Sequence, residues 1–233
     1  MTRSKPDHRG KTCSPSRILV KNHIQLSLYH YWRSSCSWRV RWALDMKGVP
    51  YESVPVNILT GEQGAESHLQ RNPAGFLPAI KVKGAFYGES LAILEWIEES
   101  WPEPRLLPLD PLERLRVRQL ALTIVAGIQP LQNLATLKYY ASDDAARKLH
   151  AQHFISKGFK TYEALLFDTP RGAFSFGNSI SMADICLVPQ VYNAKRFDVD
   201  LHGTPRIQAI YEACLATTAC AESHPSRQPG ATP

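Results

Sequence analysis

The sequence predicts a small α/β domain followed by an all-α domain. Segments typical of strands and helices alternate up to about residue 101, whereas helical patterns cover almost everything after residue 110. Three prolines, Pro102, Pro104 and Pro108, indicate a linker between the two regions. With 233 residues the chain can bury a substantial core, and no run of about 18 apolar residues would span a membrane.

The first domain is predicted over residues 24–103. The alternating, β-rich segment Gln25–Tyr31 predicts a strand, and a helix from about Cys36 to Lys47 ends where Gly48 and Pro50 follow. The remaining predicted elements are an edge strand at Tyr51–Asn57 that tolerates Pro55, a short helix near Glu62–Gln70, a hairpin of Leu77–Val82 and Ala85–Tyr87, and a helix at Ser90–Glu99.

The second domain is predicted over residues 110–225 from helix start signals. Asp110-Pro111-Leu112-Glu113 combines an N-cap, a proline at N1 and an acid at N3, and this helix is predicted to run to about Lys138. Ser181-Met-Ala-Asp184 is a capping box for a helix over about 182–195. Further helices are predicted at about 142–167 and 205–215. The residues interpreted as core at helical spacing are Leu120, Ile124, Ile128 and Leu131, together with Trp42 in the first domain.

The net charge of +6 comes mainly from a basic tail. Residues 1–24 hold six Lys/Arg and one acid, whereas the rest of the chain holds 21 basic and 20 acidic residues. The folded body is therefore nearly neutral, which makes nucleic-acid binding the weakest functional class. Residues 1–23 lack the apolar segment of a secretory signal and the amphipathic helix of a transit peptide, so they predict a disordered extension. The five scattered cysteines indicate reduced thiols in a cytoplasmic protein.

The segment from Tyr31 to Arg41 places serine hydroxyls and a thiol where a strand gives way to a helix. Unpaired N–H groups and the positive end of the helix dipole favour an anion there, and Arg33, Arg39 and Arg41 add positive charge nearby. Either Cys36 is itself a nucleophile, although no second cysteine follows it in a CxxC pair, or the site binds an external thiol. Either neighbouring serine alone would also serve as an ordinary helix cap.

Two further segments suit a peptide-like ligand. At Leu77-Pro78, a cis peptide bond would turn the Leu77 backbone outward for pairing, and the alternative is an ordinary turn. At the next helix start, Ser90 suits a carboxylate and Glu89 suits an ammonium group, which together match an α-amino acid. Taken alone, Ser90 is a helix cap.

In this order and spacing, these segments resemble the zeta class of the glutathione transferase family. The class-specific matches are Ser34–Arg41, followed by Lys47-Gly48, and Gly127–Leu134; Asn72-Pro73, Leu77-Pro78, Glu89–Ile93, Met182–Asp184 and Arg196-Phe197 also agree. The resemblance covers about residues 24–233. It implies the glutathione transferase fold, with an α/β thioredoxin-like N-terminal domain and an all-α C-terminal domain, a homodimer, and glutathione as cofactor.

The resemblance also implies site residues. Ser34, Ser35 and Cys36 would be the catalytic group, with Ser34 hydrogen-bonded to the glutathione thiolate. The residues expected to bind glutathione are Ser34, Ser35, Cys36, Ser37, Trp38, Arg39, Gln63, Leu77, Glu89, Ser90, Gln129 and Asn133. Arg33 and Arg196 are candidates to bind a dicarboxylate substrate, and an ion pair is the alternative for each. The eight histidines form no ligand motif, so no metal site is predicted.

The implied activity is the cis–trans isomerisation of maleylacetoacetate to fumarylacetoacetate, a step of tyrosine catabolism, by reversible addition of the thiolate. Related alternatives are a maleylpyruvate isomerase and a transferase that dehalogenates small α-halo acids. A non-catalytic interaction module is the alternative of another class, and the retained thiol-site residues argue against it. Glu89 stands where many zeta members have glutamine. Because of such departures, the resemblance indicates the fold more specifically than it indicates the substrate.

Overall fold

The structure, a computed structural model, describes residues 25–231. The predicted extension over residues 1–23, with Cys13, lies outside them. The first domain contains β1 (Leu26–His30), α1 (Ser35–Met46), β2 (Glu52–Pro55), α2 (Glu66–Leu69), β3 (Ala79–Val82), β4 (Ala85–Tyr87) and α3 (Ser90–Ser100). The second contains α4 (Pro111–Val125), α5 (Leu134–Tyr140), α6 (Asp144–Leu165), α7 (Met182–Arg196), α8 (Pro205–Leu215) and α9 (Thr218–Ser223).

The four strands form one sheet in the order β2-β1-β3-β4. β1 pairs parallel to β2 and antiparallel to β3, and β3 pairs antiparallel to β4. β2 lies at an edge, as its proline predicted, because Pro55 has no N–H to donate to a strand on both sides. The central position of β1 explains why Leu26 and Leu28 are buried.

Helix α1 is buried on nearly every side because α3, α7 and α9 all pack against it. Its two tryptophans, Trp38 and Trp42, have no exposed surface, which confirms Trp42 as a core residue. Ser37, Arg39 and Arg41 of the same helix are also buried, so their polar groups need partners inside the core. The packing therefore fixes both ends of α1 relative to the rest of the chain.

The long helix predicted from residue 110 to about 138 is wrong. The structure has α4 up to Val125, a 3-10 turn at Gln129–Gln132, and a separate α5. Pro130 lacks the N–H that a continuing helix needs and its ring excludes the preceding turn, so the helix breaks there. Leu120, Ile124 and Ile128 are fully buried as predicted, whereas Leu131 is half-buried.

A buried ion pair fastens the linker between the domains. The side chain of Lys47 is fully buried, and its Nζ donates to Glu98 Oε2 at 2.8 Å and to the Pro104 carbonyl at 2.8 Å. The Glu98 carboxylate also accepts from the N–H groups of Leu106 at 3.0 Å and Leu107 at 3.1 Å. Every polar atom of this pair thus has a partner, which a buried ion pair requires.

The predicted capping box starts helix α7. Asp184 is fully buried; its Oδ2 accepts from the Ser181 N–H at 2.8 Å and the Ser181 Oγ at 2.7 Å. Its Oδ1 accepts from the Ser175 N–H at 2.7 Å, which ties the preceding loop to the helix start. One carboxylate therefore satisfies three donors inside the core.

No single helix among residues 25–231 is long and apolar enough to cross a membrane. The segments Pro111–Gln132 and Leu134–Tyr140, bent by 46° at their junction, pass that test only as a pair, by length and composition.

His30, at the end of β1, makes stability depend on pH. It is fully buried between the Arg41 Nη1, 3.1 Å from its Nδ1, and the Ser53 Oγ, 2.7 Å from its Nε2. A guanidinium only donates, so Nδ1 accepts and the ring is neutral. Burial, together with the charge of Arg41, lowers the pKa of His30 from 6.5 to about 3.

We expect stability to fall as the pH drops below about 6.5, because the unfolded chain then binds a proton that folded His30 refuses. At pH 5 the loss is about 2 kcal/mol. Between pH 7 and pH 5, urea unfolding should show a change in the free energy of unfolding that is about 2 kcal/mol less favourable in the wild type than in His30→Asn. Burial raises the pKa of Asp45 to about 6, which opposes the trend equally in both proteins. Equal pH slopes for the two proteins would contradict the prediction.

Candidate active site

The N-terminus of α1 presents free hydrogen-bond donors. Ser34 is the N-cap, and its Oγ accepts from the Ser37 N–H at 3.3 Å. The N–H groups of Ser35 and Cys36 have no partner among the described residues. Cys36 is half-buried beside them. Free N–H groups and the helix dipole together stabilise an anion such as a thiolate at this end.

Buried groups hold the loop that leads into α1. The Ser37 Oγ accepts from the Tyr31 N–H at 3.4 Å. Arg41 is fully buried and donates to the carbonyls of Tyr31 at 3.4 Å and Trp32 at 2.9 Å. Burial lowers the pKa of Arg41 to about 10, so it stays charged at neutral pH. The backbone of the loop before Ser34 is therefore held in place by buried hydrogen bonds from α1.

Arg39 joins the start of α1 to the start of α3. Its side chain is fully buried, and its Nη1 lies 3.6 Å from the Cys36 Sγ and 3.3 Å from the Ser90 Oγ. Its Nε and Nη2 have no partner within residues 25–231, and no carboxylate there pairs with it. A buried cation without a counter-ion stabilises negative charge nearby.

The start of α3 has a strained backbone. Glu89, its N-cap, has a φ of 62°, in the left-handed region that favours glycine. Its side chain is exposed, and Ser90 beside it is buried. Strain of this kind costs of order 1–3 kcal/mol and is concentrated at ligand sites, where it fixes a side chain in place.

Unpaired groups also surround the segment before β3. The Leu77–Pro78 peptide bond is cis, and the Leu77 N–H has no partner in the described part of the chain. The Oε1 of Gln63 is buried and equally unpartnered there. Buried polar atoms normally have partners, so these two groups await a ligand or water.

The predicted site residues of the second domain lie at the 3-10 turn between α4 and α5. Gln129 opens this turn and is half-buried. Asn133 caps α5, and its Oδ1 accepts from the Ala135 N–H at 2.9 Å, which leaves the side-chain NH₂ to donate elsewhere.

The charge of Arg33 acts on Arg196. Burial and the charge of Arg33 both lower the pKa of Arg196. Arg33 lies over the Trp32 ring at 5.3 Å, and the Arg196 Nη1 donates to the Asn193 Oδ1 at 3.4 Å. Neither pairs with a carboxylate between residues 25 and 231. The pair is thus a cationic patch suited to an anion.

Comparisons with known proteins agree with this architecture. Residues 28–105 match the family model for the glutathione S-transferase N-terminal domain. Over 204 residues, 87% of this chain and 93% of the relative, the sequence is 49% identical to maleylacetoacetate isomerase of Rattus norvegicus. It is 41% identical to maleylpyruvate isomerase of a Ralstonia species over 209 residues, 88% of this chain and 99% of that one.

The chain belongs to the zeta-class glutathione transferases. Among solved structures, this glutathione transferase is similar to a holo maleylpyruvate isomerase of the zeta class, with a TM-score of 0.86, 41% identity, and 88% and 100% of the two chains covered. It is also similar to maleylacetoacetate isomerase of Anaeromyxobacter dehalogenans with glutathione in the active site, with a TM-score of 0.82, 42% identity, and 90% and 99% covered. These likenesses confirm the predicted fold class.

Two side chains of this glutathione transferase do not reach the site expected for them. Ser37 and Trp38 are fully buried, and Ser37 is engaged with the Tyr31 backbone. The Trp38 Nε1 donates to the Ser223 Oγ at 2.9 Å, and its ring meets His224 edge-on at 5.0 Å. Neither side chain is therefore exposed to solvent at the N-terminus of α1.

The structure also reassigns two arginines of this transferase. Arg39 is buried behind Cys36 and Ser90 and acts on the site through them. Arg41 points away from the helix terminus toward the loop carbonyls and the Ser223 carbonyl, at 3.4 Å. Sequence reasoning missed the role of Ser223, since a serine 182 residues from Arg41 carries no local signal.

Proposed function

We propose that this chain is a glutathione-dependent cis–trans isomerase that converts maleylacetoacetate to fumarylacetoacetate. The observation that carries this proposal is the anion-stabilising N-terminus of α1, with Arg33 directly before its N-cap and the charge of Arg33 acting on Arg196. A maleyl substrate bears two carboxylates at neutral pH, and two arginines that pair with no carboxylate of residues 25–231 suit them.

Glutathione fits the unpaired groups around the helix end. Glu89 would take the ammonium of its γ-glutamyl end and Ser90 the carboxylate, and the Leu77 N–H would pair with its peptide backbone. The buried Oε1 of Gln63 would accept an N–H, and Asn133 would donate from the second domain. When bound, glutathione would supply the thiol that adds to the double bond and leaves it again.

The residues of the chain then have separate roles. The Ser34 hydroxyl would donate a hydrogen bond to the sulfur, beside the free N–H groups of Ser35 and Cys36. Arg33 and Arg196 would hold the substrate carboxylates and stabilise the negative charge that develops on the conjugated ketone. An isomerisation involves no net oxidation or reduction, and none of these roles requires a residue to change its redox state.

Replacing either cationic residue should weaken substrate binding selectively. We expect Arg33→Gln and Arg196→Gln each to lower kcat/KM for maleylacetoacetate about 10- to 100-fold, because a charge-assisted hydrogen bond contributes about 1.5–3 kcal/mol. We expect a higher KM for the substrate from weaker carboxylate binding, and a lower kcat where the arginine also stabilises the charge on the ketone, with the glutathione Kd unchanged. Steady-state kinetics and calorimetry would measure both quantities.

The matched control is Arg171→Gln, which removes an exposed arginine from the loop after α6. It should leave kcat/KM at the wild-type value. An Arg196 variant with an unchanged KM, or a weakened glutathione Kd in either variant, would contradict the assignment of these arginines to the substrate.

Maleylpyruvate is the second candidate substrate. A maleylpyruvate isomerase is 41% identical over nearly the whole chain, and a solved one has a TM-score of 0.86. Both substrates carry two carboxylates, so Arg33 and Arg196 suit either. The ratio of kcat/KM for the two substrates on one preparation separates these candidates.

The decisive experiment is an absorbance assay of maleylacetoacetate turnover with and without glutathione. We expect turnover only with glutathione, at catalytic amounts, and no consumption of it. No turnover with glutathione still bound would shift the assignment to maleylpyruvate. Absence of glutathione binding would instead favour a non-catalytic interaction module.

We also propose that the protein is a homodimer in the cytoplasm. Helix α4 exposes Leu112, Leu115 and Leu122 at 74%, 63% and 45% of their surfaces, on one helical face that a second copy would cover. Sedimentation velocity of the purified chain tests this state. The four described cysteines are free thiols, the form that a reducing compartment maintains.

A further inference from the structure

We propose that Cys36 is a site of reversible thiol–disulfide exchange with glutathione disulfide, and that the mixed disulfide formed there switches the isomerase off. This inference rests on the proposed function, since it places glutathione at the same helix end. In the proposed isomerisation the reacting thiol belongs to glutathione. The Cys36 thiol is therefore left without a chemical role, although it lies in the same first turn of α1.

Cys36 differs from the other described cysteines in its access to solvent. Cys186, Cys214 and Cys220 have no exposed surface, whereas Cys36 is half-buried at the free N–H groups. Burial raises the pKa of Cys186 to about 11 and that of Cys220 to about 12, which keeps them as inert thiols. Within residues 25–231, exchange is thus confined to Cys36.

The Arg39 guanidinium lies beside the Cys36 sulfur. Arg39 is fully buried, and its Nη1 lies 3.6 Å from the Cys36 Sγ. Two more of its nitrogens have no partner, and no carboxylate of the described chain balances its charge. A buried guanidinium in this state stabilises the negative charge that a sulfur carries when it attacks a disulfide.

The same arginine links this sulfur to the site expected for the γ-glutamyl group. Its Nη1 is also 3.3 Å from the Ser90 Oγ, at the start of α3. One half of glutathione disulfide held by Glu89 and Ser90 would therefore bring a disulfide sulfur toward Cys36. The geometry favours glutathione disulfide over disulfides that lack an α-amino acid end.

The exchange balances without another reactant. The Cys36 thiol loses its proton to solvent, and the thiolate attacks one sulfur of glutathione disulfide. The disulfide bond of that reactant breaks while the Cys36–glutathione bond forms, and the second glutathione leaves as a thiolate that takes up a proton. The linked glutathione then has no thiol with which to add to a substrate, and dithiothreitol reverses the reaction.

The test uses the full chain with Cys13→Ser in every protein, because Cys13 lies outside the described residues. Each protein is incubated with glutathione disulfide, blocked with N-ethylmaleimide and digested with trypsin for mass spectrometry. We expect one glutathionyl group on the peptide Ser34–Arg39, a loss of isomerase activity of roughly tenfold or more, and recovery with dithiothreitol. The isomerase activity of Cys36→Ser should be the same before and after incubation with glutathione disulfide.

The role of Arg39 is tested by comparing Arg39→Lys with Arg39→Met. The lysine variant keeps the charge and should be modified at a rate near that of the wild type, whereas the methionine variant should be modified roughly tenfold more slowly. Circular dichroism on both variants checks the fold. In each protein, modification by cystamine, which lacks the carboxylates, should be slower than modification by glutathione disulfide.

Three results would overturn the proposal. An unmodified Cys36 peptide, with glutathione binding intact by calorimetry, would refute the exchange and leave the isomerase assignment standing. A modified Cys36 with undiminished activity would refute the switch. Absence of glutathione binding in the calorimetry would refute both this inference and the proposed function. Because binding is measured separately, this outcome is distinguishable from a failure of the exchange alone.

Discussion

Ser34→Ala is expected to lose most of the isomerase activity while keeping the fold. The Ser34 hydroxyl is positioned as the N-cap of α1, beside two free N–H groups, so it would donate to the sulfur that reacts. Losing one donor to a developing or stabilised anion typically costs 10²–10³ in rate. We therefore expect kcat to fall by two to three orders of magnitude in the absorbance assay.

The stability of the same variant separates chemistry from folding. Removing an N-cap costs about 1 kcal/mol, and the Ser34 cap bond, at 3.3 Å, is long. Asp143→Ala is the matched control, because Asp143 caps α6 in the second domain and accepts from the Ala146 N–H at 2.8 Å. The control should lose a similar free energy of unfolding and no activity.

Cys36→Ala should retain much of the activity, because the proposed reaction uses the thiol of glutathione. An inactive Cys36→Ala together with an active Ser34→Ala would reverse the assignment and make Cys36 the nucleophile.

Asp184→Ala is expected to have the largest effect on stability. The carboxylate is fully buried and accepts three hydrogen bonds, from the N–H groups of Ser175 and Ser181 and the Ser181 hydroxyl. Alanine would leave these donors unsatisfied inside the core, where each unpaired polar group costs about 1–3 kcal/mol. We expect the free energy of unfolding to fall by about 3–5 kcal/mol in urea titrations.

Asp110→Ala provides the comparison for Asp184. Asp110 also caps a helix and accepts from two N–H groups, those of Leu112 and Glu113, yet it is exposed and water can replace it. It should lose about 1 kcal/mol. If Asp184→Ala lowered the free energy of unfolding by no more than Asp110→Ala does, burial would not increase the stabilisation that the capping box provides.

The helix starts were predictable because each depends on neighbouring residues. Asp110-Pro111 and Ser181–Asp184 open α4 and α7 as expected. The break before Pro130 also had a local signal, which the apolar spacing outweighed in the prediction. Helix α9 had none: its six residues are stable because Cys220 and Ser223 are buried against other helices. Such tertiary stabilisation cannot be seen in a short polar segment.

The positions of candidate site residues were predictable where they depend on neighbouring residues in the sequence. They were not predictable where they depend on contacts between distant segments. Ser34, Cys36 and Ser90 lie at helix starts, which the sequence indicates directly. The juxtaposition of Arg33 with Arg196 joins two domains, so each could only be proposed singly. The burial of Trp38 depends on Ser223 and His224, near the other end of the chain.

The contact between α1 and the segment after α9 has a consequence for the order of synthesis. A ribosome makes α1 well before the Ser223 groups that accept from Trp38 and Arg41, which follow 185 and 182 residues later. A nascent chain therefore carries α1 without these two acceptors until Ser223 has been translated. A premature stop before Thr218 would leave the indole N–H of Trp38 without its acceptor, so a lesion far downstream of the site would disturb it.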